Sequence, residues 1–205
     1  MKKEKTLFTI LFSIIVFSLI AQQAPPPNEV FNDINIENSF IKWKGSNLFK
    51  INEHYGTVKF QSGLVHFKGD SEVSGGEFLI DMKSIVNTDG KYNEMLVWHL
   101  KNEDFFEVET FPTASLKIIA IEYSDRNNMT VNAELTIKGK TQPIEFKSVV
   151  EQVKDQFTIR SRFIIDRSKW GITFGSKDFI QDLSDDIISD AIEFEVEIAV
   201  KHDGC

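Results

Sequence analysis

The sequence predicts an all-β fold of about eight or nine short antiparallel strands with a single helix. Three observations carry this: apolar residues recur at every second position, turn residues punctuate the chain at short intervals, and only one stretch has helical spacing.

The clearest strand runs from Met129 to Ile137. Met129, Val131, Ala133, Leu135 and Ile137 share one face, and Thr130, Asn132, Glu134 and Thr136 the other. Successive strand side chains point to opposite sides of a sheet, so one face is dry and one wet. The pattern repeats at Ile192, Phe194, Val196, Ile198 and Val200, opposed by Glu193, Glu195, Glu197 and Lys201. Shorter runs are Ile41 and Trp43; Val58 and Phe60; Val65 and Phe67; Phe78, Ile80 and Met82; Leu116, Ile118 and Ala120; Ile144 and Phe146; and Phe157, Ile159, Phe163 and Ile165. Turn chemistry separates them at Gly69-Asp70, Gly75-Gly76, Asp125 to Asn128, Gly139 and Lys154-Asp155. Strands of this kind form a sandwich or a barrel, and barrel closure removes exposed edges.

The helical stretch is Gly90 to Asp104, where Tyr92, Leu96 and Leu100 recur at i, i+4 and i+8 beside Met95, with Thr88 or Asp89 as the expected cap. Phe111-Pro112 follows, and the residue before a proline is pushed out of helical geometry. A lone amphipathic helix among strands is either a lid on a barrel mouth or a plug in the core.

Acidic residues outnumber basic ones by 31 to 23, the net charge is -8, and no basic stripe follows the first five residues. Nucleic-acid binding is therefore not expected. Phe is unusually frequent, 18 residues against 3 Trp and 3 Tyr. Its rings carry no hydrogen-bonding group, which suits an oily cavity and equally a filled core.

Lys2, Lys3 and Lys5 precede the uncharged run Leu7 to Ala21, and Gln22, Gln23 and Pro25-Pro26-Pro27 follow. The run falls short of the roughly 20 residues a membrane helix needs. Residues 1–24 are expected to be a cleaved export signal, 25–29 a Pro-rich junction and 30–203 one domain, working in the periplasm or secreted. An uncleaved anchor is the competing reading. Cys205 is the sole cysteine, so no internal disulfide forms.

His54, His66, His99 and His202 show no metal-ligand spacing, and there is no nucleophile elbow and no phosphate loop. Asp182, Asp185, Asp186 and Asp190 lack the alternation and central Gly of a calcium loop. Asn128-Met129-Thr130 matches a glycosylation triplet at a strand start. No catalytic residue, metal or cofactor is expected. Trp43, Trp98 and Trp170 each read as cavity wall or as core filler.

Four ordered segments resemble the YceI-like, polyisoprenoid-binding family. His54-Tyr-Gly-Thr-Val-Lys-Phe-Gln-Ser-Gly-Leu-Val-His-Phe67 is similar to its second strand pair. Ile80-Asp-Met-Lys-Ser-Ile-Val-Asn-Thr88 and Leu100-Lys-Asn-Glu-Asp-Phe-Phe-Glu-Val-Glu-Thr-Phe-Pro-Thr-Ala114 resemble its Ser-Ile strand and Asp-Phe-Phe-to-Pro segment. Ala133 to Ile144 resembles its Leu-Thr-x-x-Gly-x-Thr-x-Pro hairpin, and Phe163 to Ile172, with Asp166-Arg167-Ser168, its Asp-Arg-Ser strand. Two places depart: Asn93-Glu94 stands where the family helix commonly carries Arg-Asp, and 176–187 resembles the long loop of only some members.

The resemblance implies an eight-stranded antiparallel lipocalin-like barrel with one short amphipathic helix. Its interior would hold a long isoprenoid, a quinone among the candidates, through binding, storage or transport without catalysis. Membrane contact would be transient. A fatty acid or fatty amide is the alternative ligand, a lipid-modifying enzyme or a filled structural barrel the alternative class. On the dry faces Trp43, Phe60, Phe67, Phe78, Ile80, Phe163 and Ile165 are the expected wall, with Leu96, Leu100 and Phe106 over an opening. Arg167 follows inward Ile165 by two, so it either closes the barrel end by bonding carbonyls or a carboxylate, or grips a pyrophosphate or quinone head.

Overall fold

A computed structural model describes residues 29–50, 52–69, 71–177 and 187–201. The expected signal 1–24, the junction through Asn28, the acidic stretch 178–186 and Cys205 lie outside the described residues. Glu29, assigned above to the junction, already belongs to the first strand.

The strands are β1 (Glu29–Asp33), β2 (Phe40–Ser46), β3 (Glu53–Lys68), β4 (Glu72–Asn87), β5 (Thr113–Tyr123), β6 (Asn128–Ile137), β7 (Lys140–Val153), β8 (Gln156–Asp166) and β9 (Ala191–Lys201), with α1 (Asn93–Lys101) between β4 and β5. Antiparallel neighbours run β3-β2-β9-β8-β7-β6-β5-β4, and β4 returns to β3. That closes an eight-stranded barrel in which every strand has a partner on each side over at least part of its length. β1 adds no position of its own: it pairs with the far half of β3, Glu29↔Lys68 to Asp33↔Leu64, while β2 takes the near half, Ile41↔Val58 to Ser46↔Glu53. A 3₁₀ turn at Ile36–Asn38 divides the two, capped by the Asn35 side chain accepting from the Asn38 N–H.

Period two holds where it was clearest, since Met129, Val131, Ala133, Leu135 and Ile137 are all buried. It fails in β5. A bulge between Ile118 and Ala120 shifts the register, so Ala120 faces outward, contrary to expectation, and Ile121 and Tyr123 turn towards the core. One extra residue on a strand reverses the facing of all that follow. The Tyr123 hydroxyl accepts from the Val73 N–H at 2.9 Å and donates to the Val73 carbonyl at 3.1 Å, tying β5 to the start of β4.

The ring also has a split. β7 and β8 pair only from Val153↔Gln156 to Ser148↔Ser161, after which β7 continues on β6 to Lys140 and β8 on β9 to Asp166. The strands diverge, and side chains close the wall.

The two barrel ends differ. Phe67, Val73, Phe157 and Val200 seal one, with the Phe67 and Phe157 rings 4.8 Å apart. The β2–β3 turn, α1, Phe105-Phe106 and the segments flanking 178–186 gather at the other. α1 begins later than expected, and neither Thr88 nor Asp89 caps it. Gly90 and Tyr92 are both left-handed, which reverses the chain before a helix can start, and Tyr92 stands at the N-cap with no side-chain hydrogen bond. Leu100 is buried and Leu96 half-buried, whereas Tyr92 and Met95 are exposed.

Candidate functional site

Alternation that buries one face of eight strands does not fill the space they enclose. A cavity of about 390 Å³ runs along the barrel from Asn47 and Asn52 at the helix end to Val65 and Val73 near the sealed end. Of the expected wall, Trp43, Phe60, Phe78, Ile80 and Phe163 line it. Phe60 and Phe78 have ring centroids 6.0 Å apart, and Phe163 lies between Phe146 at 4.7 Å and Phe194 at 5.5 Å. Leu96 and Leu100 of α1, with Phe106 beyond it, line the helix end, so the helix roofs a hollow.

Three expected residues lie elsewhere. Phe67 is sealed against Phe157, and Ile165 packs in the core where β8 runs into the 3₁₀ turn Arg167–Trp170. Arg167 is 1% exposed and off the cavity wall. Its Nε donates to the Ser189 carbonyl at 3.1 Å, and its terminal nitrogens donate to the Ile172 carbonyl at 3.0 Å and the Ile188 carbonyl at 3.2 Å. Asp190 supplies the counter-charge at 3.2 Å, and the guanidinium stands 5.5 Å from the Phe105 ring centroid. Burial pushes its pKa below the ordinary value, against the opposing pull of Asp190 and Asp166. Arg167 thus brackets chain segments at the barrel end; the planar fork that could grip a head group is spent on three carbonyls.

The tryptophans divide. Trp170 is core, its Nε1–H donating to the Leu135 carbonyl at 3.0 Å. Trp43 is cavity wall, laid across Gly56 of β3, and its buried Nε1–H has no hydrogen-bond partner among the described residues. Trp98 fits neither reading, because it faces solvent on α1.

Two residues that sequence reasoning set aside line the cavity: His54 and His99. His54 Nδ1 lies 2.6 Å from Asp89 Oδ2, and His99 Nδ1 lies 2.7 Å from Asp104 Oδ2. Burial disfavours the charge on Asp89, but the Lys91 N–H, the Asn87 amide and His54 outweigh it and hold its carboxyl below the ordinary range. Each carboxylate orients its ring by occupying Nδ1. His54 and Asp89 come together only through the pairing of β3 with β4, whereas His99 and Asp104 stand five residues apart in the sequence. The remaining polar lining is small: the Ser148 and Ser161 hydroxyls, bonded to each other at 2.6 Å, and Ser46, Asn47, Asn52 and Ser189 around the opening. Among the described residues no group of three or more His, Cys, Asp or Glu could hold a metal, and no helix is long and apolar enough to cross a membrane.

The chain is similar in fold to three solved structures. Burkholderia cenocepacia BcnA matches with a TM-score of 0.67 at 21% identity, covering 81% of this chain and 98% of that one. A polyisoprenoid binding domain from Saccharophagus degradans, implicated in plant cell wall breakdown, matches with a TM-score of 0.58 at 13% identity, covering 84% and 98%. The Campylobacter jejuni YCEI protein matches with a TM-score of 0.54 at 16% identity, covering 98% and 99%. A search of curated proteins returns no match. The family model for the YceI-like domain matches residues 33–200, from the end of β1 to the end of β9, and the chain therefore belongs to the YceI-like family.

Proposed function

We propose that this protein binds a long isoprenoid or similar amphiphilic chain inside the barrel, stores or carries it, and does no chemistry on it. The observation that carries the reading is the apolar cavity continuous along the barrel axis and roofed by Leu96 and Leu100. A filled structural barrel would have no such hollow. Enclosing on the order of 500 Å² of apolar ligand surface at ~25 cal/mol per Å² yields about 12 kcal/mol gross, before the costs of ordering and association. Micromolar to nanomolar affinity needs no covalent step. The description of the S. degradans relative as polyisoprenoid binding favours the isoprenoid class over fatty acids and amides, with quinones as members of that class.

Solvent extraction of the natively purified protein, followed by mass spectrometry, tests this. An isoprenoid or prenylquinone at near-stoichiometric amount is the expected result, and a fatty acid or amide moves the protein to the alternative ligand. Ligand recovered unchanged after prolonged incubation separates a carrier from a lipid-modifying enzyme. We further propose export with loss of residues 1–24, on the Lys-rich start and short apolar run. N-terminal sequencing of the protein from its source cells should read a start between Gln22 and Pro27; an intact Met1 in washed membranes would establish an anchor.

A further inference from the structure

We propose that the cavity selects a chain with an uncharged oxygen head group, a hydroxyl or a carbonyl, seated beside His54, and rejects anionic heads such as phosphate or carboxylate. The inference rests on the chain-binding reading above and narrows it to one class of head.

Charge is the first argument. Among the described residues that line the cavity there is no Lys, Arg, Asp or Glu; the titratable ones are His54 and His99. Arg167, the one cation near this end that sequence reasoning could offer a pyrophosphate, is sealed and already bonded to three carbonyls. Both histidines are backed by aspartates, and the Asp89 side chain is only 3% exposed. Each imidazole is thus backed by a carboxylate that offsets any positive charge it carries. A desolvated anion among the described lining residues would meet no Lys or Arg counter-ion there, which is costly.

Space and hydrogen bonding are the second. Asp89 occupies His54 Nδ1, which leaves the Nε2 edge as the ring's remaining polar face. β2 sets Gly45 directly opposite His54, and a side chain at Gly45 would meet nothing within 4 Å. The register therefore pairs an oriented imidazole with open space, in a corner also lined by Ser46 and Asn52. With Nδ1–H given to Asp89, Nε2 accepts from a hydroxyl; in the protonated ring it donates to a carbonyl.

Binding of geranylgeraniol, geranylgeranyl diphosphate and the headless hydrocarbon phytane to the delipidated protein tests the proposal. The alcohol should bind at least about a hundredfold tighter than the diphosphate. His54→Phe should lower the affinity for the alcohol roughly tenfold relative to that for phytane, and retained phytane binding shows that the barrel has folded. Gly45→Val fills the room without touching the His54–Asp89 pair, and should likewise lower the alcohol-to-phytane affinity ratio. A diphosphate that binds as tightly as the alcohol, or a ratio unchanged in both variants, overturns the inference while chain binding stands. Failure of all three probes to bind overturns the chain-binding reading and this inference with it.

Discussion

Phe146 and Phe163 stack with ring centroids 4.7 Å apart and planes 24° apart, across the stretch where β7 and β8 no longer pair. Both rings also line the cavity, so the barrel wall there is one layer of side chains with no backbone ladder behind it. Ile164, the next residue of β8 after Phe163, is 65% exposed. Amides on the facing edges of 142–147 and 162–165 should exchange with deuterium faster than those of 148–153 and 156–161. Equal protection would show that the strands zip together in solution. Phe163→Asp should abolish ligand co-purification yet leave a folded barrel, because Phe163 borders space and β8 keeps its full pairing with β9. Unfolding would mean that the ring is tightly packed core.

Arg167→Met removes the charge and roughly keeps the stem. It strands three carbonyls and leaves the Asp190 carboxylate without its counter-charge, held by the Ser176 hydroxyl, so the expected cost is about 3–5 kcal/mol in thermal or urea unfolding, with ligand content preserved in the folded fraction. Unchanged stability with weakened ligand binding would return Arg167 to the head group.

Gly56→Ala should destabilise by on the order of 3 kcal/mol, the upper range for overpacking. A Cβ at Gly56 would run into the Val86 carbonyl oxygen of β4 and come within 2.8 Å of the Trp43 ring. A chemical denaturation curve measures it, and a cost near zero would show that β3 and β4 approach less closely at this pair.

The Asp89 carboxyl titrates below its ordinary value of 3.8 in the folded protein, so it contributes stability that is present above that value and lost as pH falls through the lower folded value. Asp89→Asn should therefore cost most near neutrality, and the gap between variant and wild-type urea midpoints should shrink between pH 4 and pH 2. A gap that stays constant over that range would mean that the Asp89 charge stabilises nothing.

The sequence by itself determined the strands, their inward faces in β6 and β9, and much of the cavity wall, because burying one side of a sheet leaves a period of two that any reader of the chain can count. It also carried the family, in ordered motifs at turns and strand ends. Tertiary structure alone decided the rest. The bulge after Ile118 turned Ala120 outward, since a single added residue changes facing without changing composition. Arg167 could be foreseen as inward but not as sealed, because its partners Ile188 to Asp190 stand more than twenty residues further along the chain, a pairing no local pattern fixes. His54 met Asp89 only when β3 paired with β4, and the hollow exists because closure of β4 on β3 sets a circumference wider than its inward side chains can fill. Facing is a local property of the strand, while partners and volumes belong to the closed ring.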